Sequence, residues 1–382
     1  MQIRFYNTNF KSHYSINENI VKQINTPKTI NNNTKSLTQN IIYFTPNFRA
    51  RNPYKKYDLN NKNILITGAT GTVGQQVLDS LLNEYHPNKL IVFSRDEFKQ
   101  SKMKTKYANY PNVEFVIGDI KDKESLKKAF RNTNIIIHTA AMKHVPICEE
   151  NPEEAIKTNI DGIRNIIDVA LENNVERVIN ISSDKAASPA NLYGATKYIG
   201  EKLFTNANKY SDENGPKFCS VRLGNIIGSS GSLIPLLKEQ SKNGNIKITN
   251  PDMTRFFMTA KKAANIIFFG LESMNGGEIF IPKIKNTKIL NLAKQISPNA
   301  NIEIIGIRQG EKISEDLITK EEASHCISLE DKYVILPEKD MGNHKNLWPN
   351  STKLSQDCKF SSDNEYFSMN DEELLEMIKE LL

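Results

Sequence analysis

Between Asn63 and Arg222, six short and almost uninterrupted apolar runs punctuate the chain: NILIT (63–67), LIVFS (90–94), VEFVIG (113–118), NIIIH (134–138), RVINIS (177–182) and FCSVR (218–222). A strand that is apolar on both sides has to be covered on both faces, which is the situation of a parallel sheet packed between helices. Longer amphipathic stretches lie between the runs, among them GQQVLDSLLNEY, KESLKKAF, AIKTNIDGIRNIIDVALENN and TKYIGEKLFTNANKY. They carry the helical period that such cover needs. Strand and helix in alternation predict an α/β fold built on a Rossmann-type, doubly wound parallel sheet.

At 382 residues and 38% hydrophobic content the chain can bury the core of that sheet and of a second, smaller C-terminal domain. No run reaches the roughly 18 apolar residues of a membrane helix, and no apolar leader opens the sequence. A cytoplasmic protein with no membrane partner is therefore expected. Cys148, Cys219, Cys326 and Cys358 are scattered, without the spacing of a metal or disulfide framework, and read as packing residues in a reducing compartment.

The positive charge has a local origin. Residues 1–60 hold nine Lys and Arg against Glu18 and Asp58, a balance of +7, whereas the whole chain carries +6, so everything after Asn60 sums to −1. This Asn-rich segment shows neither strand nor helix period and is expected to be a disordered extension. Its cations are dispersed and lack interleaved aromatic residues, so no nucleic-acid partner is expected. The predicted organisation is an extension over 1–60, a dinucleotide-binding domain over 61–222, and a mainly substrate-binding domain over 223–382 that interleaves with it.

The first strand runs into TGATGTVGQQ. Gly68, Gly71 and Gly74 fall where the chain must turn tightly, bring backbone N–H groups to a pyrophosphate and pack the helix on the sheet. After the second strand, Ser94, Arg95 and Lys99 replace the acidic residue of an NAD site and favour the 2′-phosphate of NADP. Asp96 could pair with Arg95 there. Asp119 and Ile120, after the third strand, fall where such folds line the adenine.

The most chemically dense stretch is NISSDKAASPANLYGATKYIGEK, residues 180–202. Tyr193 and Lys197 stand four apart and share one helix face. Lowering a phenol by roughly three units costs about 4 kcal/mol. A cation about 4 Å away at an effective dielectric near 20 supplies that order of energy. Asp184 and Lys185 then stand side by side just upstream, where oxidation of an alcohol needs no such pair.

These segments, together with FSRDEFKQSKM, HTAAMKHVPICEENPEEAIKTNI, VRLGNIIGSSGSLIPL, MTRFFMT, GGEIFIPKI and IGIRQGEKISEDLI, make the chain resemble the extended short-chain dehydrogenase/reductases. Within them it is similar to the inverting UDP-N-acetylglucosamine 4,6-dehydratases of pseudaminic acid synthesis. The resemblance implies a tightly held NADP, with the hydride taken from the sugar returned to the same sugar. It implies that Tyr193 takes the C4 hydroxyl proton, Lys185 removes the C5 proton and protonated Asp184 assists loss of the C6 hydroxyl. Cofactor contacts would come from Gly68, Gly71, Thr72, Val73, Gly74, Ser94, Arg95, Asp96, Lys99, Asp119, Ile120, Ala140, Tyr193 and Lys197. Substrate contacts would come from Thr139, Lys143, Asn225, Leu233, Arg255, Arg308 and Glu311, with Arg255 and Arg308 suited to a diphosphate. His138 and His144 read as structural, no metal is implied, and a homo-oligomer is.

Overall fold

The computed structural model describes residues 52–229 and 231–379. Each apolar run is a strand: β1 (Asn63–Thr67), β2 (Lys89–Ser94), β3 (Val113–Ile117), β4 (Ile135–His138), β5 (Arg177–Ser183) and β6 (Lys217–Leu223). They pair in parallel in the order β3-β2-β1-β4-β5-β6. The direction of winding reverses between β1 and β4, the switch point beyond whose carboxyl strand ends such folds bind their ligands.

The covering helices are α1 (Thr72–Glu84), α2 (Glu97–Lys106), α3 (Lys123–Ala129), α4 (Val145–Glu150), α5 (Pro152–Ile156), α6 (Gly162–Leu171) and α7 (Leu192–Ala207). Two features differ from the sequence expectation. Helix α2 was not foreseen, because only Gln100 and Met103 are buried on it and no apolar stripe marks it. The helix expected over 155–174 is interrupted by a π turn at Lys157–Asp161. That turn points Asn159 inward, where it is buried and hydrogen-bonds Met142 N and O at 2.8 and 2.9 Å and Thr196 Oγ1 at 3.0 Å. Such bulges recur at functional sites, and this one joins the loop after β4 to the helix that bears Lys197.

Past β6 come β7 (Asn225–Ile226), α8 (Leu233–Ser241), β8 (Asn245–Ile248), β9 (Thr254–Met258), α9 (Ala260–Ser273), β10 (Ile279–Pro282) and β11 (Asn286–Lys288). They are followed by α10 (Ile289–Ile296), β12 (Asn301–Ile304), β13 (Asp316–Ile318), α11 (Lys320–Ala323) and β14 (Cys326–Ser328). The last elements are β15 (Lys332–Ile335), β16 (Thr352–Lys353), β17 (Phe360–Ser361) and α12 (Asp371–Ile378). This half of the chain is divided. Strand β10 joins β6 in parallel, and β15, β14 and β16 continue the same sheet antiparallel, making ten strands. The small sheets β11-β9-β7 and β12-β8 lie with α8, α10 and α12 around a separate apolar cluster that includes Ile234, Leu237, Ile248, Phe257, Leu292 and Leu374.

Residues 52–60, counted with the extension from sequence, are ordered against the body. Leu59 is fully buried, Tyr54 stacks near Phe269 and Trp348, and Asn52 Nδ2 donates to Ser273 Oγ at 2.9 Å. The rest of that extension lies outside the described residues. Among the described residues no helix is long and apolar enough to cross a membrane, and all four cysteines are free.

Candidate active site

At the end of β1 the backbone of Gly68 turns with φ +65°, and a Cβ there would lie 2.7 Å from the Ala140 backbone. A Cβ on Gly74 would lie 2.6 Å from Ala69 Cα. Gly71 caps α1 and donates its N–H to Gly68 O at 2.9 Å, leaving Thr72 and Val73 as the first helical residues. With glycine at 68, 71 and 74, the loop forms a cradle that turns tightly into a helix N-terminus, which fits a pyrophosphate. Thr139 Oγ1 donates to Thr67 O at 2.7 Å and Ala140 N to Thr67 Oγ1 at 3.4 Å, strapping the end of β4 beside the cradle. His138 Nδ1 meets Thr67 Oγ1 at 2.8 Å. Burial, with the Lys197 charge adding to it, pushes His138 down to about 3, so the ring is neutral and structural.

At the end of β2, Ser94 Oγ accepts from Gln100 Nε2 at 3.0 Å. Asp96 does not pair with Arg95 but caps α2, accepting from Lys99 N at 2.9 Å and lying 3.2 Å from Lys99 Nζ. Arg95 instead faces Asp119 at 3.8 Å. Arg95 and Lys99 are about 60% exposed, so these surface pairs cost little to open for a phosphate. Ile120, in the loop after β3, is 4% exposed and packs against Gly162.

The dense stretch unfolds as strand, tight turn and helix. Strand β5 ends at Ser183, a 3₁₀ turn holds Asp184–Ala186, and α7 begins at Leu192 with Asn191 accepting from Gly194 N at 2.8 Å. Asp184 is fully buried and its Oδ1 accepts from Ser183 Oγ at 2.8 Å and from Lys185 Nζ at 3.1 Å. Its Oδ2 has no hydrogen-bond partner among the described residues. Lys185 Nζ also lies 3.5 Å from Glu315 Oε1. Burial pushes Lys185 down, but Asp184 and Glu315 outweigh it and hold the ammonium above its ordinary range.

The phenol departs from the sequence expectation. Burial pushes Tyr193 up to about 12, and the groups that pull it the other way are Lys185 and the hydrogen-bonded Ser183. Lys197 turns to the carbonyl oxygen of Ile181 and is lowered to about 8 by burial, with Glu201 opposing. Helical spacing placed Tyr193 and Lys197 on one face correctly; it did not reveal that a strand-end carbonyl would take the amine.

Several loops converge on this stretch. Gly310, in the turn that bears Arg308 and Glu311, accepts from Asn191 Nδ2 at 2.8 Å. Arg308 N donates to Glu311 Oε2 at 3.1 Å, and the Arg308 side chain is exposed. Lys312 Nζ donates to Ser188 O at 2.8 Å. Asn225 is half-buried in β7 and Leu233 opens α8; a Cβ on Gly231, in the loop between them, would touch the His144 ring at 2.5 Å, which brings that loop to exposed Lys143 and His144. Arg255, on β9, faces the 312–315 segment. Its guanidinium is buried and donates to the carbonyl oxygens of Thr254 (2.6 Å), Ile313 (3.0 Å) and Lys312 (2.8 Å), so it braces the 312–315 segment. Glu315 and Asn159 were not anticipated. Neither has a local signal, because the partners that tie them to the site, Lys185 and Ser362 for Glu315 and Met142 and Thr196 for Asn159, lie far away in sequence.

A family model described as polysaccharide biosynthesis protein matches residues 64–337. A protein named UDP-N-acetylglucosamine 4,6-dehydratase (inverting) from Campylobacter jejuni subsp. jejuni is 43% identical over 327 residues, spanning 84% of this chain and 98% of the relative. A UDP-glucose 4-epimerase from Rickettsia rickettsii is 36% identical over 331 residues, spanning 84% and 95%. Among solved structures, Pen from Bacillus thuringiensis superposes with a TM-score of 0.78 at 36% identity, covering 84% of this chain and 98% of that one.

Proposed function

The chain belongs to the polysaccharide biosynthesis protein family, and on that premise we propose that it is an NADP-dependent, inverting 4,6-dehydratase of UDP-N-acetylglucosamine. Its product would be UDP-2-acetamido-2,6-dideoxy-β-L-arabino-hex-4-ulose, for surface glycans of the pseudaminic acid type. The observation that carries this reading is the pair of buried Asp184 and half-buried Lys185, 3.1 Å apart, on the 3₁₀ turn that precedes the helix of Tyr193. An alcohol dehydrogenase has no use for it, whereas an elimination needs both an acid and a base.

NADP, held by the 68–74 cradle with Arg95 and Lys99 at its 2′-phosphate, supplies the redox chemistry at C4 and C6. The protein's own groups move the protons. Tyr193 accepts the C4 hydroxyl proton, with Lys185 and Ser183 the groups that favour its ionised form. A ketone at C4 then acidifies the C5 hydrogen. Transfer of one proton from Lys185 Nζ to Asp184 across their contact leaves a neutral amine and a protonated acid. Lys185 removes the C5 proton while Asp184 gives its proton to the departing C6 hydroxyl, and the ion pair is restored. The proton that completes C5 arrives on the opposite face. Arg308 and Lys143 suit the diphosphate, and Thr139, Asn225, Leu233 and Glu311 the remainder of the nucleotide sugar. Exposed Ile147, Ile156, Tyr198 and Ile199, on α4, α5 and α7, support a homo-oligomer.

Incubation with UDP-N-acetylglucosamine followed by NMR of the products tests the proposal, because it reports substrate, loss of the C6 hydroxyl and C5 configuration together. Relatives named as 4-epimerases favour one second reading, an epimerase. That reading predicts a product inverted at C4 with its C6 hydroxyl intact.

A further inference from the structure

Glu315 lies immediately before β13 and is 2% exposed, an unusual place for a carboxylate without a task. Its Oε1 lies 3.5 Å from Lys185 Nζ and its Oε2 2.9 Å from Lys312 Nζ. Its backbone is fixed as well: Glu315 N donates to Ser362 Oγ at 2.9 Å, and Ser362 N donates to Glu315 O at 2.9 Å. Arg255 holds the preceding carbonyls at 312 and 313. Lys312, Ser362 and the Arg255 brace thus fix the Glu315 carboxylate beside the Lys185 amine.

We propose that Glu315 is the positioning residue for Lys185: it clamps the amine against Asp184 and keeps the proton shared by that pair in the site as the pH rises. The inference rests on the elimination chemistry proposed above. A lysine has four rotatable side-chain bonds, and a single contact to its sequence neighbour would leave the amine free to swing. A second, buried carboxylate fixes its direction. The pair does its work with one proton, which moves from Lys185 to Asp184, passes to the leaving hydroxyl and is replaced on Lys185 by the C5 proton. When that one proton is lost to solvent, Asp184 can no longer act as an acid. The groups facing Lys185 are Asp184 on its own turn, Tyr193 on α7, Arg255 on β9 and Glu315. Asp184 and Glu315 hold the proton on the amine, and Arg255 opposes them.

The NADP-bound enzyme and its Glu315→Gln, Glu315→Ala and Glu315→Asp variants separate the possibilities when two partial reactions are followed. Cofactor absorbance on adding UDP-N-acetylglucosamine reports oxidation at C4, and NMR in heavy water reports elimination. Glu315→Gln should leave C4 oxidation near the wild-type rate and move the alkaline limb of elimination about one pH unit lower. Glu315→Ala should slow elimination about ten- to a hundredfold without the same loss in C4 oxidation. Glu315→Asp, which keeps the charge, should keep the wild-type limb. The proposal is overturned if Glu315→Gln superimposes on the wild-type profile, if Glu315→Asp shifts as far as Gln, or if both partial reactions fall together in every variant. A wild-type enzyme that neither reduces its cofactor nor dehydrates this sugar would overturn the functional reading itself, and this inference with it.

Discussion

Arg222 and Glu201 meet in a two-pronged ion pair, Nε to Oε1 at 3.0 Å and Nη2 to Oε2 at 2.6 Å, with neither side chain exposed. Arg222 is on β6 and Glu201 is on α7, one turn past Lys197. The same guanidinium takes both oxygens of Glu322 at 2.8 Å and the carbonyl of Leu317 at 2.8 Å. One arginine therefore ties the helix of Tyr193 and Lys197 to the segment that follows Glu315. Its removal strands the buried carboxylate of Glu201 and the half-buried one of Glu322, so Arg222→Ala should destabilise the protein by about 3–5 kcal/mol. Urea unfolding measures this, and an unchanged midpoint would mean the network is dispensable.

Arg95 is exposed and lies 3.8 Å from Asp119. If it receives the 2′-phosphate of NADP, Arg95→Ala should weaken NADP binding about ten- to a hundredfold, the value of a charge-assisted contact. NAD binding should change little. Titration of both dinucleotides decides the matter, since equal losses would rule out a phosphate contact.

The depressed His138 predicts acid sensitivity. Folded, it titrates near 3 because burial opposes its charge; unfolded, it titrates near ~6.5. Between these values the unfolded chain binds a proton that the folded protein refuses. The stability is fully present above about pH 6.5 and is lost as the pH falls toward 3, at up to about 1.4 kcal/mol per unit for this one group. From pH 7.5 to 5 the wild type should therefore lose about 2 kcal/mol more than His138→Gln. Denaturant midpoints at the two pH values test this, and parallel losses in the two proteins would mean His138 titrates normally.

The sheet was legible because its central strands are apolar on both faces and alternate with amphipathic stretches, a combination that suits a doubly covered parallel sheet. The cradle was legible for a similar reason: Gly68 and Gly74 sit where a Cβ has no room. Contacts made across long sequence distances were not. Lys185 and Glu315 are brought together by β13 and the 312–315 brace, and nothing in GEKISEDLI marks Glu315 apart from Glu311. Arg255 and Lys197 show the converse. Each was recognisable as a cation near the site, yet backbone carbonyls take their donors, and no residue pattern encodes a carbonyl as partner. Helix α2 was missed because its start depends on the Asp96 cap rather than on an apolar face.

The two pairs in the 180–202 stretch can be separated by experiment. Tyr193→Phe removes the group that takes the C4 hydroxyl proton, so oxidation should fall by at least about 10²-fold and bound NADP should show no reduced absorbance on adding substrate. Lys185→Ala should permit that oxidation, slowed by loss of the charge that favours the ionised Tyr193, yet stall before elimination, leaving reduced cofactor and a 4-keto sugar that retains its C6 hydroxyl. In the intact enzyme, deuterium placed at C4 should reappear at C6 of the same molecule, and heavy water should label C5. Loss of the C4 label to added NADP would indicate a simple dehydrogenase. Normal dehydration by Lys185→Ala would make the Asp184–Lys185 contact, 3.1 Å long, a structural ion pair and would require another base for C5.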